Sequence, residues 1–273
     1  MASGVLVLSA ALAAMPSSGP QEITVKLPGN VPLVLVRIPA GTFTMGSPIG
    51  ERSREDDEAQ HQVTLTRDYY IGKYEVTQAQ WQAIMGSDPS YFSSGGDYPV
   101  EQVSWNDITA PDGFLAKLNR HLAGTGQPGA GRMRLPTEAE WERAARGGTT
   151  TRFSYGDVLD CKDVCRPCAT HSRYMWWCGG NHPGRPAPVG GKQPNQYGVY
   201  DMHGNVWEWA QDRYGPYSSS AQTDPTGPSR GLDRVVRGGG SEVPLANSRS
   251  AARRVRPPDD RWAHTGLRLA WSP

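Results

Sequence analysis

The first seventy residues carry hydrophobic positions in the pattern of β-strands. Residues 23–27 (ITVKL) and 62–66 (QVTLT) alternate apolar and polar side chains, and residues 33–38 (LVLVRI) form a short, almost continuous apolar run. Both patterns indicate strands that are buried on one or both faces. The aromatic-rich residues 69–75 continue as a further extended segment. We therefore expect a sheet built from the beginning of the chain.

Helical signals follow between residues 77 and 148. The segments Thr77–Gly86 and Thr137–Gly147 each open with a capping box, in which Thr is followed three residues later by Gln or Glu, and each ends at glycine. Asn106 or Asp107 is predicted to cap another helix that extends to about Leu122. After residue 150 almost no helical periodicity remains. Three helices early and an irregular, β-rich later half predict an α+β fold.

Length and charge restrict the classes of function. With 273 residues, the chain can form one domain with a sizeable core, and we place that domain at residues 22–273. Lys and Arg number 28 against 27 Asp and Glu, so the chain lacks the basic excess that nucleic-acid binding requires. No run of 18 apolar residues is present, which predicts no membrane-spanning helix.

The N-terminal segment, residues 1–21, has features of a secretory signal. Residues 5–15 (VLVLSAALAAM) are apolar and rich in Ala, and Ala11-Leu12-Ala13 has the small-x-small pattern of a cleavage site. The basic residues that normally precede such a stretch are missing, so a disordered or buried segment is the alternative. The signal interpretation predicts export to the periplasm or the extracellular space.

Four cysteines lie within eighteen residues: Cys161, Cys165, Cys168 and Cys178. In an exported protein an even number of cysteines predicts two disulfides, with three pairings that the sequence does not separate. The same short spacing also suits a structural zinc ion held by thiolates. Under either interpretation the cysteines hold together a local loop.

Eight ordered motifs carry a family resemblance. They are Ile38–Ser47 (IPAGTFTMGS), Tyr74–Gln78 (YEVTQ), Pro99–Trp105 (PVEQVSW), Arg134–Glu142 (RLPTEAEWE), Pro194–Met202 (PNQYGVYDM), Gly204–Trp209 (GNVWEW), Arg237–Ser241 (RGGGS) and Gly266–Leu269 (GLRL). Together they resemble the formylglycine-generating enzyme, or sulfatase-modifying factor, family over about residues 33–270. The resemblance implies a variant of the C-type lectin fold.

The resemblance also shows which family chemistry the sequence lacks. The family's oxidases hold copper with two cysteines near the C-terminal Arg-Gly-Gly-Ser segment, but no cysteine follows Cys178, and residues 238–254 read GGGSEVPLANSRSAARR. We therefore expect a non-catalytic binding or scaffold domain. The alternative is a metal-dependent oxidase, of the formylglycine-generating or non-haem iron sulfoxide synthase type, with atypical ligands such as His203 or His264.

A structural calcium site can be carried over from the family. The turn Asp-x-x-Gly-Asn-x-Trp-Glu places Asp201, Gly204, Val206 and Glu208 at the family's ligand positions. Two carboxylates and two backbone carbonyls on one loop suit a hard cation such as calcium. The alternative is that Asp201 and Glu208 only hydrogen-bond to the loop backbone.

The late loops are the predicted binding face, since loops on a rigid scaffold commonly carry function. Of the arginines between residues 230 and 268, we expect four to pair with core carboxylates: Arg237, Arg249, Arg253 and Arg268. The predicted ligand-binding residues are Glu242, Asn247, Arg254, Arg256, Arg261, Trp262 and His264. Arg and Trp are residues that interfaces favour. The partner would be a protein or a small ligand, as in cysteine-free family branches that display variable side chains on this face.

Overall fold

The computed structural model describes residues 21–159, 161–180 and 182–273. The signal-like residues 5–15 lie outside the described residues, so the predicted signal stays a prediction. Within the described ranges, no helix combines the length and the apolar character needed to cross a bilayer.

Twelve strands form three sheets in the described part of the chain. They are β1 (Glu22–Lys26), β2 (Pro32–Ile38), β3 (Gly41–Met45), β4 (His61–Leu65), β5 (Tyr69–Gly72), β6 (Arg132–Arg134), β7 (Trp207–Arg213), β8 (Gln222–Thr223), β9 (Arg234–Arg237), β10 (Arg253–Arg256), β11 (Thr265–Leu267) and β12 (Ala270–Ser272). The sheet orders are β1-β2-β5-β12-β6, β10-β9-β7-β11 and β3-β4-β8. The C-terminal β12 lies between β5 and β6, so the end of the chain completes the sheet that its beginning starts.

The helices are α1 (Gln78–Met85), α2 (Trp105–Thr109), α3 (Phe114–Thr125), α4 (Glu138–Arg146) and the single turn α5 (Ala169–Ser172). Both capping boxes that start α1 and α4 are present, and both helices end at a glycine in the left-handed conformation, as the sequence predicts.

The predicted helix from Asn106 or Asp107 to Leu122 is wrong as a single element. Ser104 caps α2, and Asp107 is the third residue of that helix, where its side chain accepts from the Ser104 backbone N–H. Pro111 then interrupts the helical backbone, because the residue before a proline is disfavoured in the α region. Gly113 caps the new helix, α3, which extends three residues beyond Leu122.

Tryptophans and aliphatic side chains connect these elements. The largest apolar cluster joins the first sheet to α1, α2 and α3 and includes Trp81, Trp207 and Trp209. A second cluster packs Trp141 of α4 against β2, β4 and β5. A third surrounds Trp177 in the loop-rich region that contains the cysteines. The mixed architecture with an irregular later half confirms the predicted α+β class.

Candidate functional site

Four arginines are fully buried and paired with carboxylates. They are Arg237, with Glu142 and Glu138; Arg249, with Glu58 and Glu51; Arg253, with Glu138; and Arg268, with Glu208. Each is at most 2% exposed. The prediction that these four pair with core carboxylates is therefore confirmed, and we call them the buried arginine network.

One partner in this network comes from a charge-rich segment, residues 51–58. Charge patterning alone favours a solvated loop for residues 51–58, yet Glu58 is fully buried and its two carboxylate oxygens accept hydrogen bonds from Arg249 at 2.6 and 2.7 Å. Glu51 joins the same guanidinium at 2.6 Å. Burial alone would raise the pKa of Glu58, but the hydrogen bonds and charge of Arg249 hold it below its ordinary value. The charge run therefore supplies the arginine's counter-ions, a role that charge patterning does not reveal.

Four of the predicted ligand-binding residues come together between the end of β9 and the start of β11. His264 Nδ1 lies 3.2 Å from Glu242 Oε2, without the alignment of a hydrogen bond. The ring of Trp262 lies 5.3 Å from the His264 ring, and the Arg256 guanidinium lies 3.8 Å from the Trp262 ring. Trp207 donates its indole N–H to Glu242 Oε1 at 3.2 Å. We call Glu242, Arg256, Trp262 and His264 the aromatic–acid cluster.

Sequence reasoning missed a neighbouring segment that extends this cluster. The Phe92 ring lies 5.2 Å from the His264 ring, and Tyr91 beside it is 70% exposed. The Phe92 backbone N–H donates to Glu101 Oε1 at 2.7 Å, which fixes the loop. The adjacent aromatic pair inside the otherwise polar loop 87–98 was the available signal. Together the two segments give a surface with Tyr91, Phe92 and Trp262 around a recessed acid–imidazole pair.

Burial shifts the pKa values of three ionisable side chains at this surface. Burial raises the pKa of Glu242 to about 7, and burial also raises the pKa of Glu101 to about 7. Burial, and then the charge of Arg256, lower the pKa of His264 to about 4. The buried Oε2 atom of Glu101 has no hydrogen-bond partner within the described ranges. A ligand that donates hydrogen bonds here would satisfy groups that the fold itself leaves unsatisfied.

The remaining predicted face residues lie elsewhere or are neutralised. Arg254 forms two hydrogen bonds with Glu55, and Arg261 forms two with Asp107. Asn247 is half-buried in a 3₁₀ turn, Leu245–Ser248. Arg256 also pairs with Asp260. These arginines therefore do not form the anion-binding patch that a count of bare charges indicates, because each has a carboxylate partner.

The calcium ligands carried over from the family do not assemble as expected. Both carboxylate oxygens of Glu208 accept from Arg268, and Oε2 also accepts the Trp141 indole N–H at 2.6 Å. Asp201 Oδ2 accepts from the Gly190 backbone N–H at 2.6 Å, while its buried Oδ1 has no hydrogen-bond partner within the described ranges.

A third buried carboxylate lies near Asp201 and Glu208. Buried Glu75 lies near Arg268 together with Asp201 and Glu208. Its burial and the charges of these two carboxylates raise the pKa of Glu75 well above its ordinary value. Since the Glu208 oxygens are taken by Arg268 and Trp141, the set Asp201, Gly204, Val206 and Glu208 does not fit calcium in this arrangement. Calcium remains a prediction from the family.

The cysteine cluster forms two disulfides, Cys161–Cys168 and Cys165–Cys178. The disulfide prediction is confirmed, and one of the three open pairings is selected. The alternative of a zinc ion at this cluster is wrong, because no thiolate remains to bind a metal. His171, Cys161 and Cys168 form the one group of metal-binding residue types within the described ranges. The two sulfur atoms of this group are bonded to each other in the Cys161–Cys168 disulfide.

The full described domain matches a known family. Residues 27–273 match the model of the sulfatase-modifying factor enzyme 1-like domain. The chain belongs to this family. Family membership confirms the resemblance carried by the eight motifs.

Individual relatives cover almost the whole family domain. The chain is 29% identical to the formylglycine-generating enzyme of Thermomonospora curvata, over 92% of this chain and 98% of that protein. It is 30% identical to the formylglycine-generating enzyme of Mus musculus, over 89% of this chain and 77% of that protein. Two solved structures are similar at the level of fold and sequence. Treponema denticola variable protein 1 has a TM-score of 0.79 and 29% sequence identity, and the match covers 93% of this chain and 100% of that one. PvdO from Pseudomonas aeruginosa has a TM-score of 0.71 and 26% sequence identity, and the match covers 94% of this chain and 100% of that one.

The family domain of this chain has no cysteine after Cys178. Residues 238–254 place Glu242 and the 3₁₀ turn Leu245–Ser248 in the segment that follows the Arg-Gly-Gly-Ser motif. A soft cation such as Cu(I) needs sulfur ligands, and this segment supplies carboxylate, hydroxyl and amide groups instead. The segment can therefore bind through hydrogen bonds and ion pairs, and it offers no thiolate ligand.

Proposed function

We propose that this family member is an exported, non-catalytic domain that binds a protein or other ligand through its C-terminal loops. The observation that carries the proposal is the aromatic–acid cluster: His264 packs against the Trp262 ring beside Glu242, and both His264 Nδ1 and Glu242 Oε2 lack a hydrogen-bond partner within the described ranges. Buried polar atoms without partners are uncommon in proteins, so a site that retains them is a candidate for recognition.

The composition of the surface supports binding. Trp, Tyr and Arg are the residues that dominate binding energy at interfaces, and Trp262, Tyr91 and Arg256 lie around one recessed pair. Arg256 is held over the Trp262 ring and by Asp260, so its orientation is set before a partner arrives. Such preorganisation reduces the entropy lost on binding.

Two further observations bear on the proposal. The two disulfides favour export, because disulfides persist in oxidising compartments. One similar structure, Treponema denticola variable protein 1, is named for variability and not for a reaction. Both support a displayed binding module, with a scaffold role in an exported assembly as a related possibility within the same proposal.

A photo-crosslinking experiment tests the proposed face. A benzophenone amino acid at Tyr91, which is 70% exposed beside Phe92, should capture a partner in an envelope extract of the source organism. The matched control carries the same residue at Leu232, which is 88% exposed and is not part of the cluster. The captured partner, once purified, should bind Trp262→Ala at least about tenfold more weakly than wild type. Equal capture at both positions, or an unchanged affinity of Trp262→Ala, would refute the face.

The second candidate is a metal-dependent oxidase with atypical ligands. It is favoured by the relatives named formylglycine-generating enzyme, which align over most of the chain. Elemental analysis of purified, tag-free protein for copper, iron, zinc and calcium separates the candidates. Copper or iron near one per chain, lost in a His264→Ala variant, would support the oxidase. Calcium near one per chain would restore the family's calcium site and require Arg268 to share Glu208.

A further inference from the structure

A cavity of about 420 Å³ lies between β4, the start of α4, the end of β7 and the loop 215–228. It shares no lining residue with the aromatic–acid cluster. Its walls combine apolar side chains, including Met45 and three prolines, with a small number of polar groups. That size and mixture are typical of small-molecule sites.

One carboxyl group in this cavity lacks a hydrogen-bond partner on one side. Asp212 is only 3% exposed, and its Oδ2 accepts from the Glu138 backbone N–H at 3.0 Å. Its Oδ1 makes no hydrogen bond with any residue that the structure describes. Gly227 faces it with a positive φ of 75°, and a Cβ on Gly227 would lie 3.0 Å from Oδ1. The glycine therefore brings the cavity wall close to this oxygen without a side chain to cover it.

The neighbouring charges are already committed to each other. Arg253 forms two hydrogen bonds of 2.8 Å with Glu138, and Tyr217 donates its hydroxyl to the same carboxylate. Asp224 accepts two hydrogen bonds from Thr66. No cation of the described chain is paired with Asp212. Its carboxyl group is therefore the one acidic lining group available to a ligand.

We propose that this cavity binds a small organic cation whose ammonium group donates a hydrogen bond to Asp212 Oδ1. The rings of Tyr217 and His61, whose centroids are 4.8 Å apart, form an aromatic wall for the rest of the ligand. Aromatic faces attract cations as well as apolar groups, and the Arg253 guanidinium, 3.8 Å from the Tyr217 ring, already makes such a contact in the cavity wall.

Binding should release a proton. Burial, and then the charges of Glu138 and Glu140 on α4, raise the pKa of Asp212 to about 8, while the Glu138 N–H and Arg253 lower it. His61 of β4, Tyr217 and Asp224 complete the titratable groups that line the cavity. Without a ligand, Asp212 is therefore mostly protonated at pH 7. An ammonium ligand favours the ionised form, so the proton leaves as the ligand binds.

Benzylammonium and its neutral isostere benzyl alcohol provide matched probes. We expect calorimetry on the full chain at pH 7 to show benzylammonium binding at least about tenfold more tightly than the alcohol. Titrations in two buffers of different ionisation enthalpy should report release of close to one proton. Asp212→Asn keeps an acceptor for the Glu138 N–H and should lose both effects. Asp259→Asn is the control, because Asp259 is exposed and does not line the cavity, so affinity should change little.

A second variant tests the cavity independently, in case Asp212→Asn does not fold. Thr226 is an exposed residue at the cavity rim, so Thr226→Trp should block entry and abolish benzylammonium binding while leaving the circular dichroism spectrum unchanged. The proposal is overturned if benzylammonium does not bind, if it binds no better than the alcohol, or if either variant binds it as the wild type does.

Discussion

Two regions of the domain treat buried charge in opposite ways. In the buried arginine network, every guanidinium meets at least one carboxylate, and Arg237 also donates to three backbone carbonyls. In the aromatic–acid cluster, Glu242 and His264 are 3.2 Å apart but misaligned, and in the neighbouring loop Glu101 has a buried oxygen without a hydrogen-bond partner within the described ranges. In the first region every buried guanidinium has a carboxylate beside it, as expected of a structural core, although Arg237 Nε has no hydrogen-bond partner within the described ranges. The second retains unsatisfied groups, which the fold alone does not explain.

The comparison teaches where recognition can occur in this scaffold. Several arginines of the C-terminal segment look alike in the sequence, but burial divides them. Arg249 is fully buried between two carboxylates, whereas Arg261, with a side chain 55% exposed, has one. Charge count does not distinguish the two classes, whereas the exposure of the side chain and the number of its carboxylate partners do.

The largest expected effect is on the network. Arg249→Met leaves Glu51 and Glu58 buried without a cation, and removing one partner of a buried pair typically costs about 3–5 kcal/mol. Urea denaturation should therefore show a loss of that size in the free energy of unfolding, or failure to fold. A loss below about 1 kcal/mol would mean that the network is not structural and would remove the contrast between the two regions.

The second effect is on the pH dependence of the free energy of unfolding and concerns Glu101, which lies beside the aromatic–acid cluster. The pKa of Glu101 is about 7 in the folded protein and near its ordinary value when unfolded, because burial disfavours its charge. The stabilisation this group contributes is fully present below its unfolded pKa of about 4.3 and is lost as pH rises through about 7. Glu101→Gln should remove about 1–3 kcal/mol of that loss. The measurement is the free energy of unfolding of both proteins at pH 5 and pH 8.5, and identical pH dependence would contradict the account.

The smallest effect is expected at the exposed pairs. Arg254→Met breaks a pair with Glu55 in which both side chains are partly solvated, at 33% and 45% exposure. Pairs of this kind contribute about 0–1 kcal/mol. Thermal unfolding should show little change, and raised salt should reduce it further. A loss as large as that of Arg249→Met would show that burial does not divide the arginines.

Local patterns predicted the parts of the fold that local interactions determine. The capping boxes at Thr77 and Thr137 locate α1 and α4, because both partners of each box are three residues apart. The break at Pro111 was missed, since the apolar stripe continues across it. Ordered motifs predicted the family and hence the long-range topology, which no local pattern specifies.

The site was predicted only in part, for a physical reason. Glu242, Trp262 and His264 were named as face residues and come together, but Arg254 and Arg261 were taken by Glu55 and Asp107, which lie far away in sequence. Which arginine meets which carboxylate depends on the tertiary fold. Glu101 looked ordinary in the sequence, because its unsatisfied oxygen arises only from burial.

The most direct test measures stability and binding on one variant, Trp262→Ala, with the partner captured at Tyr91. The account predicts that partner affinity falls at least about tenfold, while the free energy of unfolding falls by less than the 3–5 kcal/mol expected for Arg249→Met. Unchanged affinity together with a stability loss as large as that of Arg249→Met would show that Trp262 belongs to the structural core, and would contradict the proposed binding face.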